Sequence, residues 1–77
     1  MKAVAMKNIL VFKTSVLGRA QVRVLGPLLN QLMDKNGRWN FDLEDCDNIL
    51  RVETQRLEAA TIARLLHKNG FHCEELQ

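Results

Sequence analysis

Cys46, His67, His72 and Cys73 are the side chains in this sequence that could hold a soft metal ion. Thiolate sulfur and imidazole nitrogen suit Cu(I) and Zn(II), but ligation needs several of them to converge on one point. These four are scattered, with no Cys-x-x-Cys pair among them. Two cysteines allow at most one disulfide, and nothing points to an oxidising compartment, so reduced thiols are expected. The carboxylates of Asp42, Glu44, Asp45 and Asp47 could attract Ca²⁺ or Mg²⁺. They lack the central glycine and the spaced terminal glutamate of an EF-hand loop, and a solvated turn accounts for them. Trp39 and Phe41 could stack on nucleic-acid bases. However, the strand that would carry the basic and aromatic RNA-binding signature reads Leu50-Arg51-Val52-Glu53, so core packing is expected instead. No Ser/His/Asp or Cys/His arrangement can be assembled. Neither an enzyme nor a cofactor is expected.

The elements that must position these residues belong to one domain. With 77 residues, 47% of them apolar and 26% charged, the chain is too apolar for disorder and too short for a second core. No apolar run approaches the roughly 20 residues that cross a bilayer. Residues 1–7 are expected as a flexible N-terminal extension rather than a signal peptide, with 8–77 forming the domain. The expected location is the cytoplasm. Residues 1–41 carry seven Lys/Arg against Asp34 alone, +6, whereas residues 42–77 carry four against eight acids, −4; together these give the net +2. Such a polarity favours oriented protein encounters, whereas nucleic acid demands a strongly basic face. Neither nucleic acid nor a membrane is an expected partner.

Asn8–Lys13 is an almost continuous apolar run, which predicts a central strand covered on one face and partly shielded on the other. A loop, 14–18, interrupts it. From Arg19 to Met33, Val22, Leu25, Leu29 and Leu32 recur at helical spacing. Gly26-Pro27 inside this stripe is a conflict. A proline in a regular interior removes a helical hydrogen bond and crowds the carbonyl of Arg23, costing ~3 kcal/mol. Because the apolar stripe continues beyond it, one kinked helix is predicted, closed by a left-handed Asn36 or Gly37.

Trp39, Phe41 and Leu43 then alternate with Arg38, Asn40 and Asp42, the mark of a half-buried strand. After an acidic turn, Ile49–Thr54 gives the next strand. Glu58–Asn69 is a second helix, with Ile62, Leu65 and Leu66 buried and His67 and Lys68 suited to its C-terminal dipole. Asn69-Gly70 stops it, and Phe71–Leu76 returns as a strand. The order predicts an α+β, ferredoxin-like βαββαβ two-layer sandwich, a four-stranded antiparallel sheet with two helices on one face. In that fold the first loop, the hairpin turn and the end of the second helix share one end of the sheet. Cys46 and Cys73 would nonetheless lie on opposite edges, roughly 14 Å apart at ~4.8 Å per strand, too far for a disulfide or shared ligation.

The element order, Val22-x-x-Leu25 and Ile62-x-x-Leu65-Leu66-x-x-x-Gly70-Phe71 together resemble the heavy-metal-associated domain family of small metal chaperones and metal-pump modules. The resemblance spans Ile9–Leu76 and rests on core positions. It implies a Met-x-Cys-x-x-Cys loop between the first strand and first helix, where two thiolates at a helix N-terminus hold the ion. The matching stretch here is Thr14-Ser15-Val16-Leu17-Gly18-Arg19-Ala20-Gln21, with no Cys, His, Met or acid. The family's metal transfer therefore does not carry over.

What remains is a non-enzymatic module of heavy-metal-associated-like build that binds a protein partner or itself as a homo-oligomer. Thr14, Ser15, Arg19, Arg38 and Asn40 are the expected contact residues. No metal is expected. The alternative is a weak transition-metal binder or metal-handling accessory that uses Cys46, His67, His72 or Cys73.

Overall fold

The computed structural model describes residues 8–76. The predicted extension at 1–7 lies outside the described residues. The elements run β1 (Asn8–Thr14), α1 (Arg19–Leu32), β2 (Arg38–Asp42), β3 (Ile49–Thr54), α2 (Ala59–Lys68) and β4 (Cys73–Leu76). They form one four-stranded sheet in the order β2-β3-β1-β4, and every neighbouring pair is antiparallel. This is the ferredoxin-like βαββαβ arrangement. Among the described residues, no helix is long and apolar enough to cross a membrane.

Alternation sets the two faces of the sheet. Phe12, Leu50, Val52 and Cys73 point inward and join Leu25 and Leu29 of α1 and Ile62 and Leu66 of α2 in one core. Both helices therefore cover the same face. The other face stays open and carries Arg38, Asn40 and Asp42 of β2, Arg51 of β3 and Lys13 of β1, all exposed. Ile9 is 63% exposed there, so the second face of β1 is less shielded at its start than its apolar run implies.

Helix α1 runs unbroken through Pro27. The proline is exposed, while Gly26 before it is buried. A Cβ on Gly26 would stand 3.2 and 3.3 Å from two carbons of the Trp39 ring. One helical turn later, the Trp39 indole N–H donates to Asn30 Oδ1 at 2.7 Å. Gly26 thus has a packing cause: a residue without a side chain lets the indole of β2 lie against α1.

Several boundaries differ from the sequence reading: β1 runs one residue further, to Thr14, and α2 spans Ala59–Lys68. Helix α1 ends through Met33 in extended backbone, and neither Asn36 nor Gly37 is left-handed; positive φ is confined, among the described residues, to Asn48 and Gly70. Gly70, at φ 87°, lets the Phe71 amide turn back to the Leu66 carbonyl at 2.9 Å and stops α2 as expected. The last strand begins at Cys73 rather than Phe71, because the His72 amide donates to the Ser15 hydroxyl at 2.8 Å instead of to a sheet partner. Leu43 falls outside β2.

Candidate functional site

The loop between β1 and α1 is built to hold the fold together. Thr14 is buried. Its hydroxyl donates to the Asn48 carbonyl at 2.6 Å and accepts the Val16 amide at 3.2 Å. Its own amide donates to the Asp47 carbonyl at 3.1 Å. Ser15 accepts from His72 through its side chain and donates to the His72 carbonyl through its amide at 3.2 Å. Val16 is wholly buried in the core, and the Leu17 amide is closed by Gln21 Oε1 at 2.6 Å. The loop, the hairpin turn and the entry to β4 thus meet at one end of the sheet, as the topology demands. Thr14 and Ser15, expected to meet a partner, are hydrogen-bonded within the chain, Thr14 buried and Ser15 half-buried beside a concavity of about 480 Å³ shared with Lys13, His72, Cys73 and Glu74. Loop residues carry no periodicity from which this burial could have been read.

The metal-type residues do not converge. Cys46 is exposed and Cys73 buried, both free, on the β2–β3 turn and on β4 at the opposite edge. Burial pushes the Cys73 thiol up to about 11, so it is a neutral core residue at pH 7. His67 Nε2 lies 3.1 Å from the Cys73 carbonyl and donates to it when protonated at that nitrogen. His72 is exposed, and the two histidines flank a shallow depression of about 330 Å³ with Gly70 and Phe71.

Among the described residues, one group of three potential ligands gathers within 4.8 Å, Asp45, Cys46 and Asp47. Sequence reasoning weighed the carboxylates and the thiol separately and did not group them. The carboxylates already serve the turn: Asp45 Oδ1 accepts the Asp47 amide at 2.8 Å, and Asp47 Oδ1 lies 3.6 Å from Lys13 Nζ.

Another concavity lies elsewhere. A groove of about 500 Å³ runs between α1 and β2, with Arg19 and Arg23 on one side and Trp39, Phe41, Asp42 and Glu44 on the other. Consecutive residues 39–44 line it although alternate ones face opposite sides of the sheet, so the groove follows the edge of β2 that is free among the described residues. Trp39 and Phe41 pack on the core but are only half-buried, their rings meeting edge to face at 5.9 Å. Asn40 lines this groove and also a smaller depression of about 230 Å³ on the open face with Arg38, Arg51 and Glu53.

Of the expected contact residues, Arg19, Arg38 and Asn40 therefore stand exposed along one edge. Trp39 and Asp42 belong to the same edge strand, Arg38–Leu43, expected to make the contact, and Arg23 of α1 joins them without having been foreseen. The alternation at 38–42 pointed to an edge strand, but only the helix beside it makes a groove. Comparison of the chain with protein-family models, with curated proteins and with solved structures gives no match.

Proposed function

We propose that this chain is a small, non-enzymatic, cytoplasmic interaction module of heavy-metal-associated-like build. It lacks that family's thiol site and works by pairing the free edge of β2 with an extended segment of a protein partner or of a second copy. The observation that carries this reading is the groove along β2. It offers a strand edge unpaired among the described residues, half-buried aromatic side chains and arginines opposite carboxylates, which are the ingredients of strand addition: backbone bonds for affinity, side-chain pockets for selectivity. The exposed free thiol of Cys46 suits a reducing compartment.

Selection from a displayed library of random peptides on the immobilised chain tests the reading. Recovered binders should be extended, and Asn40→Pro and Arg23→Glu should weaken them. Binders indifferent to both substitutions would overturn it. The competing reading, a weak transition-metal binder, draws on Cys46, His67, His72 or Cys73, with Asp45 and Asp47 beside Cys46. Titration of the reduced protein with Cu(I) and Zn(II) should give nothing tighter than roughly micromolar. Sub-micromolar binding lost on replacing Cys46, His72 or Cys73 would favour that alternative.

A further inference from the structure

We infer that the occupant of the β2 edge is a second copy of the chain, added antiparallel about a two-fold axis through Asn40, so that two sheets join into one of eight strands. The inference rests on the interaction-module reading above and names its partner.

The strand is self-complementary when reversed. Its five residues are Arg38-Trp39-Asn40-Phe41-Asp42. Antiparallel pairing centred on Asn40 sets Arg38 against Asp42 of the second copy, Trp39 against Phe41, and Asn40 against Asn40. Each unlike pair occurs twice, as a two-fold interface requires. Directly opposed side chains stand about 4.5–5.5 Å apart, where opposite charges and aromatic pairs are favourable and like charges are not.

The surrounding sheet continues the pattern. Arg38 already faces Glu53 across β3, and Asn40 faces Arg51. In the joined sheet the row on the open face reads Glu53, Arg38, then Asp42 of the second copy, with charges alternating in sign. On the covered face, the half-buried Trp39 and Phe41 would lose their remaining exposure against each other.

Charge along the chain reverses at the same place. Lys35 and Arg38 precede Asn40, while Asp42, Glu44 and Asp45 follow it. An antiparallel copy therefore lays the basic flank of one strand along the acidic flank of the other. The switch from a +6 segment, residues 1–41, to a −4 segment, residues 42–77, falls at this strand.

Other registers lose these matches. A slip by one residue sends aromatic residues to the open face, and a slip by two leaves Arg38 opposite Asn40 with part of the strand unpaired. The opposite edge of the sheet does not compete, because β4 carries Glu74 and Glu75 in sequence and its self-pairing brings carboxylates together. A five-residue strand buries little area, so the dimer is of the weak, reversible class.

Sedimentation equilibrium of the full chain tests this, with circular dichroism to verify folding of each variant. Wild type should pass from monomer to dimer with concentration and go no further. R38D and D42R each place like charges opposite one another twice and should weaken association at least roughly tenfold. An equimolar mixture of R38D and D42R restores both opposite-charge pairs and should dimerise where neither variant does alone.

Should either variant fail to fold, N40C in a C46S background takes its place. Its thiols meet at the two-fold axis within disulfide reach, so mild oxidation should give a covalent dimer, whereas R51C in the same background should not. Four results would overturn the dimer: wild type monomeric up to roughly 1 mM, assemblies larger than two, a mixture that stays monomeric, or equal crosslinking of N40C and R51C. Monomeric wild type that still binds the selected peptides at β2 would overturn this inference alone. Loss of peptide binding as well would overturn the interaction-module reading too.

Discussion

Two ends of the polypeptide's first helix lead to opposite uses of polar side chains. At the loop before α1, the hydroxyls of Thr14 and Ser15 and the neighbouring amides are matched to partners within the chain, and Val16 fills the core. Along β2, Arg38, Asn40 and Asp42 stand exposed, and among the described residues the strand bonds to a neighbour on one side only. A group already satisfied has little to give a ligand, and removing it leaves a buried partner unsatisfied. A group facing water can be exchanged with little effect on folding and a direct effect on binding. Substitutions in the first region should therefore register as stability, and those in the second as association.

The largest effect expected from this contrast is at Val16. Val16→Asp buries a carboxylate without a counter-charge and should cost about 3–5 kcal/mol, enough to unfold much of a domain this small; chemical denaturation measures it. A stable V16D protein would show that the loop is not anchored as described.

Next comes the pH response of Cys73, which pairs with Thr14 at the same end of the sheet. Its folded-state value of about 11 lies above the ordinary 9.0, so the folded state holds the proton more tightly. The contribution is whole below pH 9 and is lost as pH rises from 9 through 11, by about 2–3 kcal/mol. Denaturation midpoints should fall across that window in wild type and fall less in Cys73→Ala. Identical slopes would place the thiol in water.

Thr14→Val keeps the shape but strands the Val16 amide and the Asn48 carbonyl, and should cost about 1–2 kcal/mol. At the other region, Arg23→Ala should move stability by no more than about 0.5 kcal/mol while weakening association measurably by sedimentation. If Thr14→Val were silent in stability and Arg23→Ala silent in binding, the contrast would collapse.

The same division explains what was legible in the sequence. Strands and helices announce themselves by period, so Trp39/Phe41 and Ile62/Leu66 pointed directly to a strand and a helix, and the sheet order followed from their sequence of types. One helix across Gly26-Pro27 was legible from the continuing apolar stripe, but the reason for Gly26, the Trp39 ring packed against it, is a tertiary neighbour that local spacing does not reveal. The start of β4 moved because one serine hydroxyl, 57 residues away in sequence, captured the His72 amide. Thr14 and Ser15 looked available for the same reason: their partners come from distant segments. At the candidate site, Arg19 and Asn40 could be chosen from charge and strand position, whereas Arg23 entered only once α1 lay alongside the edge. The absence of thiols from residues 14–21, by contrast, was plain from residue types alone.

Amide hydrogen exchange followed residue by residue at rising protein concentration compares the two regions in one experiment. Protection of Arg38–Asp42 should increase with concentration as the strand gains a partner, while that of Thr14–Leu17, already bonded within the monomer, stays constant. Unchanged exchange at β2, or a concentration-dependent gain confined to the loop before α1, would contradict the assignment of the β2 edge as the working surface.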